Sequence, residues 1–227
     1  DAAYKAVILS QFGFGATIDF DDVSHKGITN ISTDDVAVAQ ELGYVIKLVG
    51  DVREVESGIS AEVSPTFLPK NHPLASVNDV MNAVFVESIG IGESMYYGPG
   101  AGQKPTATSV LADIIRIARR LSDGNVGKPF NEFRRDLPLA NPADVKSNYY
   151  FALDTPDEKG KILHLSEIFN SEDISFEQVL QQKANGTTAR IVVITHAMSK
   201  TQLKAVTEKL EAAEDFTVVN TLKVLSN

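Results

Sequence analysis

Cysteine and tryptophan are both absent from the 227-residue sequence, and histidine occurs only four times. Without cysteine the chain has no disulfide framework, no thiolate nucleophile and no cysteine-based metal site, a composition that suits a cytoplasmic protein. The histidines, at positions 25, 72, 164 and 196, are scattered and show no metal-ligand spacing. We therefore expect no metal site.

Positive charge is also scarce: 21 Lys and Arg stand against 30 Asp and Glu, for a net charge of −9. Nucleic acids and anionic membranes are bound mainly through Lys and Arg, so we expect neither as a partner and favour a small molecule or another protein. The sequence has no apolar run of about 18 residues that would span a bilayer, and no signal-peptide pattern. Position 1 is Asp rather than Met, so we expect a piece of a longer protein.

The hydrophobic pattern of residues 1–121 predicts helices and strands that are joined by glycine and proline turns. The predicted elements are a helix at 2–12, a helix beginning at Ser32 or Thr33 and stopping at Gly43, strands at 44–49 and 59–63, strands at 83–88 and 93–97, and a helix at 105–121. The strand at 59–63 is followed by Pro65, Pro69 and Pro73 and is therefore expected to leave the sheet into a rigid loop.

Residues 122–147 are rich in Gly, Asn, Pro and mixed charge, which is typical of a linker. The elements predicted after it are strands at 149–154, 174–181, 189–196 and 216–224, with helices at 161–169 and 201–212. Their order is βαββαβ, the split ferredoxin-like unit.

Three stretches contain residues suited to catalysis or ligand binding. Asp1 and Lys5 lie one helical turn apart and form either a surface ion pair, worth about 0.3–0.5 kcal/mol, or part of an active site. Gly98, Gly100 and Gly102 precede a helix, where they make either a tight turn or a close backbone approach to an anionic ligand or cofactor; they match neither the P-loop nor the dinucleotide fingerprint.

The third stretch is the turn before the helix at 161–169. Gly160 leaves free N–H groups at the start of this helix, and they either receive a carboxylate or simply form a helix cap. Lys47, which lies on a predicted strand, is expected to be structural.

Several segments together resemble a known family. The stretches DAAYK, GITNISTDDVAVAQELGYVIKLVG, NHPLASVNDVMNAVFVES and YYGPGAGQKPTATSVLADI are similar, in order and spacing, to the substrate and dimerisation region of homoserine dehydrogenases. The segments YYFALDTPDEKGKIL and ARIVVITH resemble an ACT regulatory domain. The resemblance implies an α/β (α+β) fold with a mixed-sheet substrate and dimerisation domain at 1–121, a linker at 122–147 and a ferredoxin-like ACT domain at 148–227.

The resemblance also implies a reaction, the NADPH- or NADH-dependent reduction of L-aspartate 4-semialdehyde to L-homoserine in threonine and methionine biosynthesis. By motif, Asp1 contacts the substrate and Lys5 donates the proton, while Gly100 and Gly102 face the cofactor. A homodimer is expected. The family's N-terminal nucleotide-binding half, which binds most of the NAD or NADP, is missing here, so this chain alone is expected to be inactive.

For the ACT-like part, the resemblance implies an effector site at the turn after its first strand. Asp154 is expected to face the ammonium of an amino acid, with threonine the family's usual signal, and Gly160, Lys161 and Ile162 to receive its carboxylate. An ACT-like domain that only joins subunits remains the alternative for this part. For the whole chain, the alternatives are a non-enzymatic amino-acid sensor that dimerises and a structural dimer module that binds no ligand.

Overall fold

The computed structural model describes residues 1–125, 133–183 and 187–226, and of Lys183 only the backbone. The chain forms two compact units, Asp1–Pro69 with Phe133–Asn227, and Lys70–Glu132. We call the first the sheet unit and the second the hairpin unit, and each is described by itself.

Helices and strands alternate along most of the chain. The helices are α1 Ala2–Phe14, α2 Thr33–Glu41, α3 Gln103–Ser122, α4 Lys161–Asn170 and α5 Lys200–Ala212, with short 3-10 helices at Phe20–Asp22 and Pro73–Ser76. The strands are β1 Ser24–His25, β2 Tyr44–Val55, β3 Gly58–Pro69, β4 Met81–Ser88, β5 Gly92–Pro99, β6 Lys146–Pro156, β7 Phe176–Lys183, β8 Thr188–Thr195, β9 Met198–Ser199 and β10 Thr217–Val224. All predicted helices and strands are present, and the short strands β1 and β9 were not predicted.

One mixed sheet dominates the sheet unit, with the strand order β1-β3-β10-β6-β8-β7, β2 along β3, and β9 against β6. The strands β10, β6, β8 and β7 are antiparallel neighbours, which is the arrangement of a ferredoxin-like unit and confirms the predicted βαββαβ order. On its outer edge β10 runs parallel to β3, with Lys223 opposite Thr66. The N-terminal strands therefore extend the ferredoxin-like sheet.

The two faces of this sheet are covered by different helices because side chains alternate between faces along each strand. One face packs against α4 and α5 through a core that includes Phe151, Leu165, Phe169 and Leu210. The other face packs against α2 through Val38, Phe67 and Tyr150, among others, and against α1 near the start of β3. We call these the α4/α5 face and the α1/α2 face.

The strand β3 runs further than its sequence predicts. The first of the three prolines expected to end the strand, Pro65, does not end it, because β3 pairs with β2 as far as Pro69. Proline lacks a backbone N–H and interrupts a ladder only where that donor is needed. Pro65 falls between Val63, the last residue paired with β1, and Thr66, the first paired with β10.

The second part of the predicted linker is docked on the sheet unit. Pro138 accepts a hydrogen bond from the N–H of Ile59, and Ile59 accepts one from Ala140, both at 2.9 Å. Gly58, at a φ of 142°, makes this approach possible, because a Cβ there would lie 2.0 Å from the Pro138 oxygen. Residues 126–132 of the predicted linker lie outside the described residues, and Lys146 and Ser147 belong to β6.

The compact units therefore do not follow the predicted boundaries at residues 121 and 147. Sequence order separates residues 1–69 from the ferredoxin-like part, but the pairing of β3 with β10 joins them in one sheet. The domain division expected from the family resemblance stays a prediction.

The hairpin unit contains an antiparallel pair and one long helix. β4 and β5 pair from Met81 opposite Pro99 to Ser88 opposite Gly92, and Gly92 takes a φ of 76° at the turn. The helix α3 buries none of its residues within the described chain. Its predicted apolar stripe is thus exposed.

Candidate functional site

The helix α1 carries the ion pair that the sequence singled out. The Nζ of Lys5 lies 2.9 Å from Oδ2 of Asp1, and the side chains are 60% and 89% exposed respectively. Asp1 is also the residue before the first helical turn, and its carbonyl accepts a hydrogen bond of 3.2 Å from the Lys5 N–H. The structure brings the two residues together on an accessible surface, as both a surface pair and an active-site pair require.

Small side chains position α1 against the sheet. Ala3 and Ala6 pack against Ile59, Ala61 and Val63 of β3 in one buried cluster. Alanine at these positions allows the helix to approach the strand closely, and residues about half a turn away from these alanines point to the outside. The carboxylate and ammonium groups of the ion pair are therefore held on a helix whose position depends on β3.

The exposed side of α1 is largely apolar. Tyr4, Ile8 and Phe12 lie on the same side as Lys5 and are 59%, 64% and 57% exposed. The Tyr4 ring stacks on Phe20 at a centroid distance of 4.5 Å. A contiguous apolar surface beside charged groups is typical of a surface that contacts a ligand or another part of a protein.

The segment with Gly100 and Gly102 lies in the hairpin unit. Gly102 immediately precedes α3, at a φ of 124° that L side chains rarely adopt, and no side chain caps the helix. Gly100 donates its N–H to the Val80 oxygen at 2.9 Å, and a Cβ on it would lie 1.6 Å from Nδ2 of Asn82. The turn itself requires glycine at Gly102. At Gly100, a Cβ would require only that the end of the Asn82 side chain move.

The predicted effector residues Gly160, Lys161 and Ile162 line a cavity of about 320 Å³ at the start of α4, together with Thr155, Gln181 and Ile191. Gly160 has a φ of 92°, no side chain caps the helix, and a Cβ there would meet no atom within 4 Å. A larger groove of about 440 Å³ between α4 and α5 contains none of the predicted residues.

The structure does not bring Asp154 into this cavity. Its two carboxylate oxygens accept hydrogen bonds of 2.8 and 3.0 Å from Arg190, which also lies 3.4 Å from Asp34 of α2. Since neighbouring strand residues point to opposite faces, Asp154 points to the α1/α2 face and Thr155 to the cavity side. The expected contact of Asp154 with an effector ammonium is not supported by this arrangement.

Lys161 is held by acidic neighbours rather than directed freely into the cavity. Its Nζ lies 3.2 Å from Asp215 and 3.4 Å from Glu158. The hydrogen bond to Asp215 is the main cause that raises the pKa of the Lys161 ammonium above its ordinary value. The group is thus a positive charge at the cavity wall.

Thr155 is a cavity residue that sequence reasoning missed. It is 2% exposed, and in the described part of the chain its Oγ1 has no hydrogen-bond partner. A buried hydroxyl without a partner is unfavourable by about 1–3 kcal/mol, so a ligand that reaches it gains a ready donor and acceptor. Nothing in the sequence distinguishes this Thr from other strand threonines.

A buried carboxylate joins α2 to the ferredoxin-like strands. Asp35 accepts hydrogen bonds from the Tyr150 hydroxyl at 2.9 Å, from the Asn220 amide at 3.0 Å and from the Ser32 hydroxyl at 2.8 Å. Burial by itself would raise the pKa of Asp35, but these hydrogen bonds, with one from the Ser32 backbone, outweigh it and hold the pKa below its ordinary value. The sequence predicted Ser32 as a cap but not this network.

A second buried group of charges, which we call the ion cluster, lies on the α4/α5 face. Its members are Asp51 and Arg53 of β2, Glu62 of β3, Lys200 of α5 and Lys223 of β10. Lys223 is 5% exposed and contacts both carboxylates, at 2.5 Å for Asp51. Burial opposes ionisation of Asp51 and Glu62, but the surrounding cations hold both pKa values below their ordinary range.

In the described residues, no group of His, Asp or Glu is placed to hold a metal ion. No helix in that part of the chain is long and apolar enough to cross a membrane. Lys47, expected to be structural, lies on β2 opposite Thr66.

Known proteins provide the remaining comparison. The sequence profile of the homoserine dehydrogenase family matches residues 1–115. A homoserine dehydrogenase of Lactococcus lactis is 59% identical over 227 residues, covering 100% of this chain and 53% of the relative. One of Bacillus subtilis is 35% identical, covering 94% and 50%. The crystal structure of a homoserine dehydrogenase from Thiobacillus denitrificans is 31% identical with a TM-score of 0.90, covering 99% of this chain and 52% of that one.

Fold and comparisons define the class as a mixed α/β protein from an oxidoreductase family. The chain spans about half the length of the curated relatives it matches. It belongs to the homoserine dehydrogenase family.

Proposed function

We propose that the longer protein reduces L-aspartate 4-semialdehyde to L-homoserine with NADPH or NADH, and that this chain supplies its substrate-side and regulatory parts. The observation that carries the proposal is the 2.9 Å pair of Asp1 and Lys5 on an accessible helix of a homoserine dehydrogenase family member. The nucleotide-binding half expected ahead of Asp1 would hold most of the cofactor and decide between NAD and NADP.

The residues of α1 perform the proton step in this proposal. The nicotinamide cofactor, when bound, supplies the hydride. Negative charge grows on the aldehyde oxygen during reduction, and the Lys5 ammonium stabilises that oxygen and donates a proton to it. Asp1 orients the polar end of the substrate and pairs with the Lys5 ammonium at 2.9 Å. The apolar side chains Tyr4 and Ile8 lie on the same side of the helix as the pair.

Gly100 and Gly102 are proposed to approach the cofactor. The donor set fits such a group: the backbone N–H groups that begin α3 follow these glycines, and no side chain caps them. Uncapped N–H groups at a helix start favour the negatively charged or carbonyl oxygens of a dinucleotide.

The hairpin unit is proposed to bind a second copy of this chain. The apolar side chains Val110, Leu111, Ile114, Ile115 and Leu121 of α3 are between 44% and 57% exposed, and Val84, Tyr96 and Tyr97 of the hairpin are also exposed. An amphipathic helix of 20 residues that buries none of its side chains against the described part of the chain exposes an apolar stripe that a partner can cover. A homodimer supplies that partner symmetrically.

The cavity at the start of α4 is proposed as an effector site of ACT type, with threonine as the first candidate. The uncapped helix start at Gly160 and the Lys161 charge suit a carboxylate, and the unpaired Thr155 hydroxyl suits a polar side chain. α2 covers one sheet face and β3 pairs along the β10 edge, so β7 is the edge strand next to the cavity.

The place of this reaction in threonine and methionine biosynthesis and a cytoplasmic location belong to the same proposal. The second candidate, an amino-acid sensor without enzyme activity, is favoured by the cavity alone. It predicts that the longer protein binds amino acids but does not oxidise homoserine. If the ACT-like part binds no amino acid, the function that remains for it is to join subunits.

The deciding experiment measures homoserine oxidation by the longer protein and by its Lys5→Ala variant. We expect kcat to fall by roughly 10²–10⁴-fold, the range for a lost general acid, with an unchanged melting temperature because the Lys5 side chain is 60% exposed. Lys204→Ala, on the exposed surface of α5, is the matched control and should remain fully active. Near-normal turnover of Lys5→Ala would show that Asp1 and Lys5 form only a surface salt bridge. The present chain alone should show no activity.

A further inference from the structure

The ion cluster is a partly buried group of charges that the proposed chemistry does not use. Asp51 and Glu62 are direct partners across β2 and β3, so two carboxylates face each other on one side of the sheet. Like charges in that position repel, and the buried Lys223 between them offsets the repulsion. The arrangement is specific, because removing Lys223 leaves two facing carboxylates without the cation that lies between them.

The cluster also connects the α4/α5 layer to the strand beneath α1. The Nζ of Lys200, in the first residue of α5, lies 2.6 Å from Oε2 of Glu62. Glu62 points to the α4/α5 face, whereas its neighbours Ala61 and Val63 point to the other face and form the packing surface for α1. The contact between Lys200 and Glu62 therefore links α5 to the strand segment on which α1 rests.

The proposed effector cavity lies at the other end of this series of contacts, beyond α5. It is formed at the start of α4, and α4 shares one core with α5 through Leu165, Phe169, Val206 and Leu210. Closely packed cores transmit displacements because they have little free volume. The contacts run without a gap from the cavity through α4 and α5 to Lys200, Glu62, β3 and α1.

We propose that the contact between Lys200 and Glu62 couples effector binding at the α4 cavity to the position of Lys5 on α1, so that Lys200 and Glu62 are positioning residues for regulation. This inference rests on the proposed effector function. It assigns to the ion cluster the role of transmitting the signal and not of binding either ligand.

The test uses the longer protein and its Lys200→Gln variant, which cuts the contact at a partly exposed residue and leaves Lys223 with both carboxylates. Threonine, and then a panel of other amino acids, is titrated by calorimetry, and initial rates are measured with and without a saturating amount. Lys209→Gln is the matched control, since Lys209 lies on the same helix and pairs with Glu172 at 2.5 Å outside the cluster.

We expect Lys200→Gln to bind the amino acid with an affinity within about twofold of that of the parent. The factor by which a saturating amount of the amino acid lowers the initial rate should fall at least fivefold, the lower end of common allosteric coupling. Lys209→Gln and the conservative Lys200→Arg should keep full inhibition. Glu62→Gln, which cuts the same contact from the strand side, should reproduce the loss.

If the amino acid binds both proteins and inhibits the parent and Lys200→Gln equally, the proposed coupling through Lys200 is wrong, although the effector site itself is supported. A loss of affinity as large as the loss of inhibition would also overturn it, because the change would then act on the site itself. If the parent binds none of the amino acids, the effector proposal fails and this inference fails with it.

Discussion

The hydroxyl of Tyr150 donates a hydrogen bond of 2.9 Å to Oδ1 of Asp35, although the two residues lie 115 positions apart. Asp35 belongs to the first turn of α2 and Tyr150 to the first strand of the ferredoxin-like unit. Together with Asn220 of β10, this contact fastens α2 across the sheet face.

The first prediction concerns acid stability. Asp35→Asn removes a charged acceptor and should lower the free energy of unfolding by about 1.5–3 kcal/mol at neutral pH. The folded pKa of Asp35 lies below the ordinary value of 3.8, so its contribution is complete above pH 3.8 and is lost as the pH falls through the folded pKa. Urea unfolding should therefore separate the parent and the variant at neutral pH and bring them together in acid.

Asp34→Asn is the control for this prediction, since Asp34 lies on the same turn with its side chain 74% exposed. It should change stability by well under 1 kcal/mol at any pH. An Asp35→Asn deficit that is the same size in acid as at neutral pH would contradict the assigned cause.

The second prediction is that residues 146–227 do not form a stable monomer when separated from the rest. Separation uncovers Tyr150, Val192, Ile194 and Leu222, which α2 and its neighbours bury, and frees the β10 edge. Exposed apolar faces and edges promote self-association. Sedimentation should show aggregates, or thermal unfolding should lose cooperativity relative to residues 1–227. A cooperative, monomeric segment would show that the ferredoxin-like unit is independent.

The third prediction addresses the cofactor contact. Gly100→Ala should raise the cofactor KM of the longer protein roughly tenfold or more, equal to about 1.4 kcal/mol, with little change in melting temperature. Gly98→Ala is the control, because a Cβ there meets no atom within 4 Å. Gly102→Val would strain a φ of 124° in any case and so tests the turn. An unchanged KM in Gly100→Ala would exclude the contact.

The fourth prediction tests the effector cavity. Thr155→Val removes the buried hydroxyl and should weaken threonine binding roughly 2–12-fold, the equivalent of one hydrogen bond, while stability stays the same or rises. Thr221→Val is the matched control, since its Oγ1 also has no partner in the described part of the chain, but Thr221 is not among the cavity residues. If both variants bind threonine as the parent does, the hydroxyl has no role in binding.

The fifth prediction concerns the dimer. Ile114→Asp places a charge in the exposed stripe of α3 and should convert dimers to monomers in sedimentation, because each buried Ile contributes about 1.5–3 kcal/mol to association. Ser109→Asp adds the same charge on another side of the helix and should leave the dimer intact. A dimer that persists in Ile114→Asp would place the interface elsewhere.

Local patterns predicted most of the helices and strands. The spacing of Asp1 and Lys5 predicted a shared helix face, and Gly160 marked the start of α4, because these features depend only on neighbouring residues. The contact of Asp154 was not predictable in this way. Its partner Arg190 lies 36 residues away on β8, and nothing local indicates that pairing.

Short-range patterns were sufficient to predict the helices, the long strands, the βαββαβ order and the family, since periodicity, caps and motifs are properties of short segments. The folded chain shows three features that these patterns do not predict: β3 pairs with β10, α2 covers one face of the ferredoxin-like sheet, and Lys223 lies between Asp51 and Glu62. Each of these depends on contacts between residues distant along the chain, whose energies come from burial and charge pairing that no local pattern encodes.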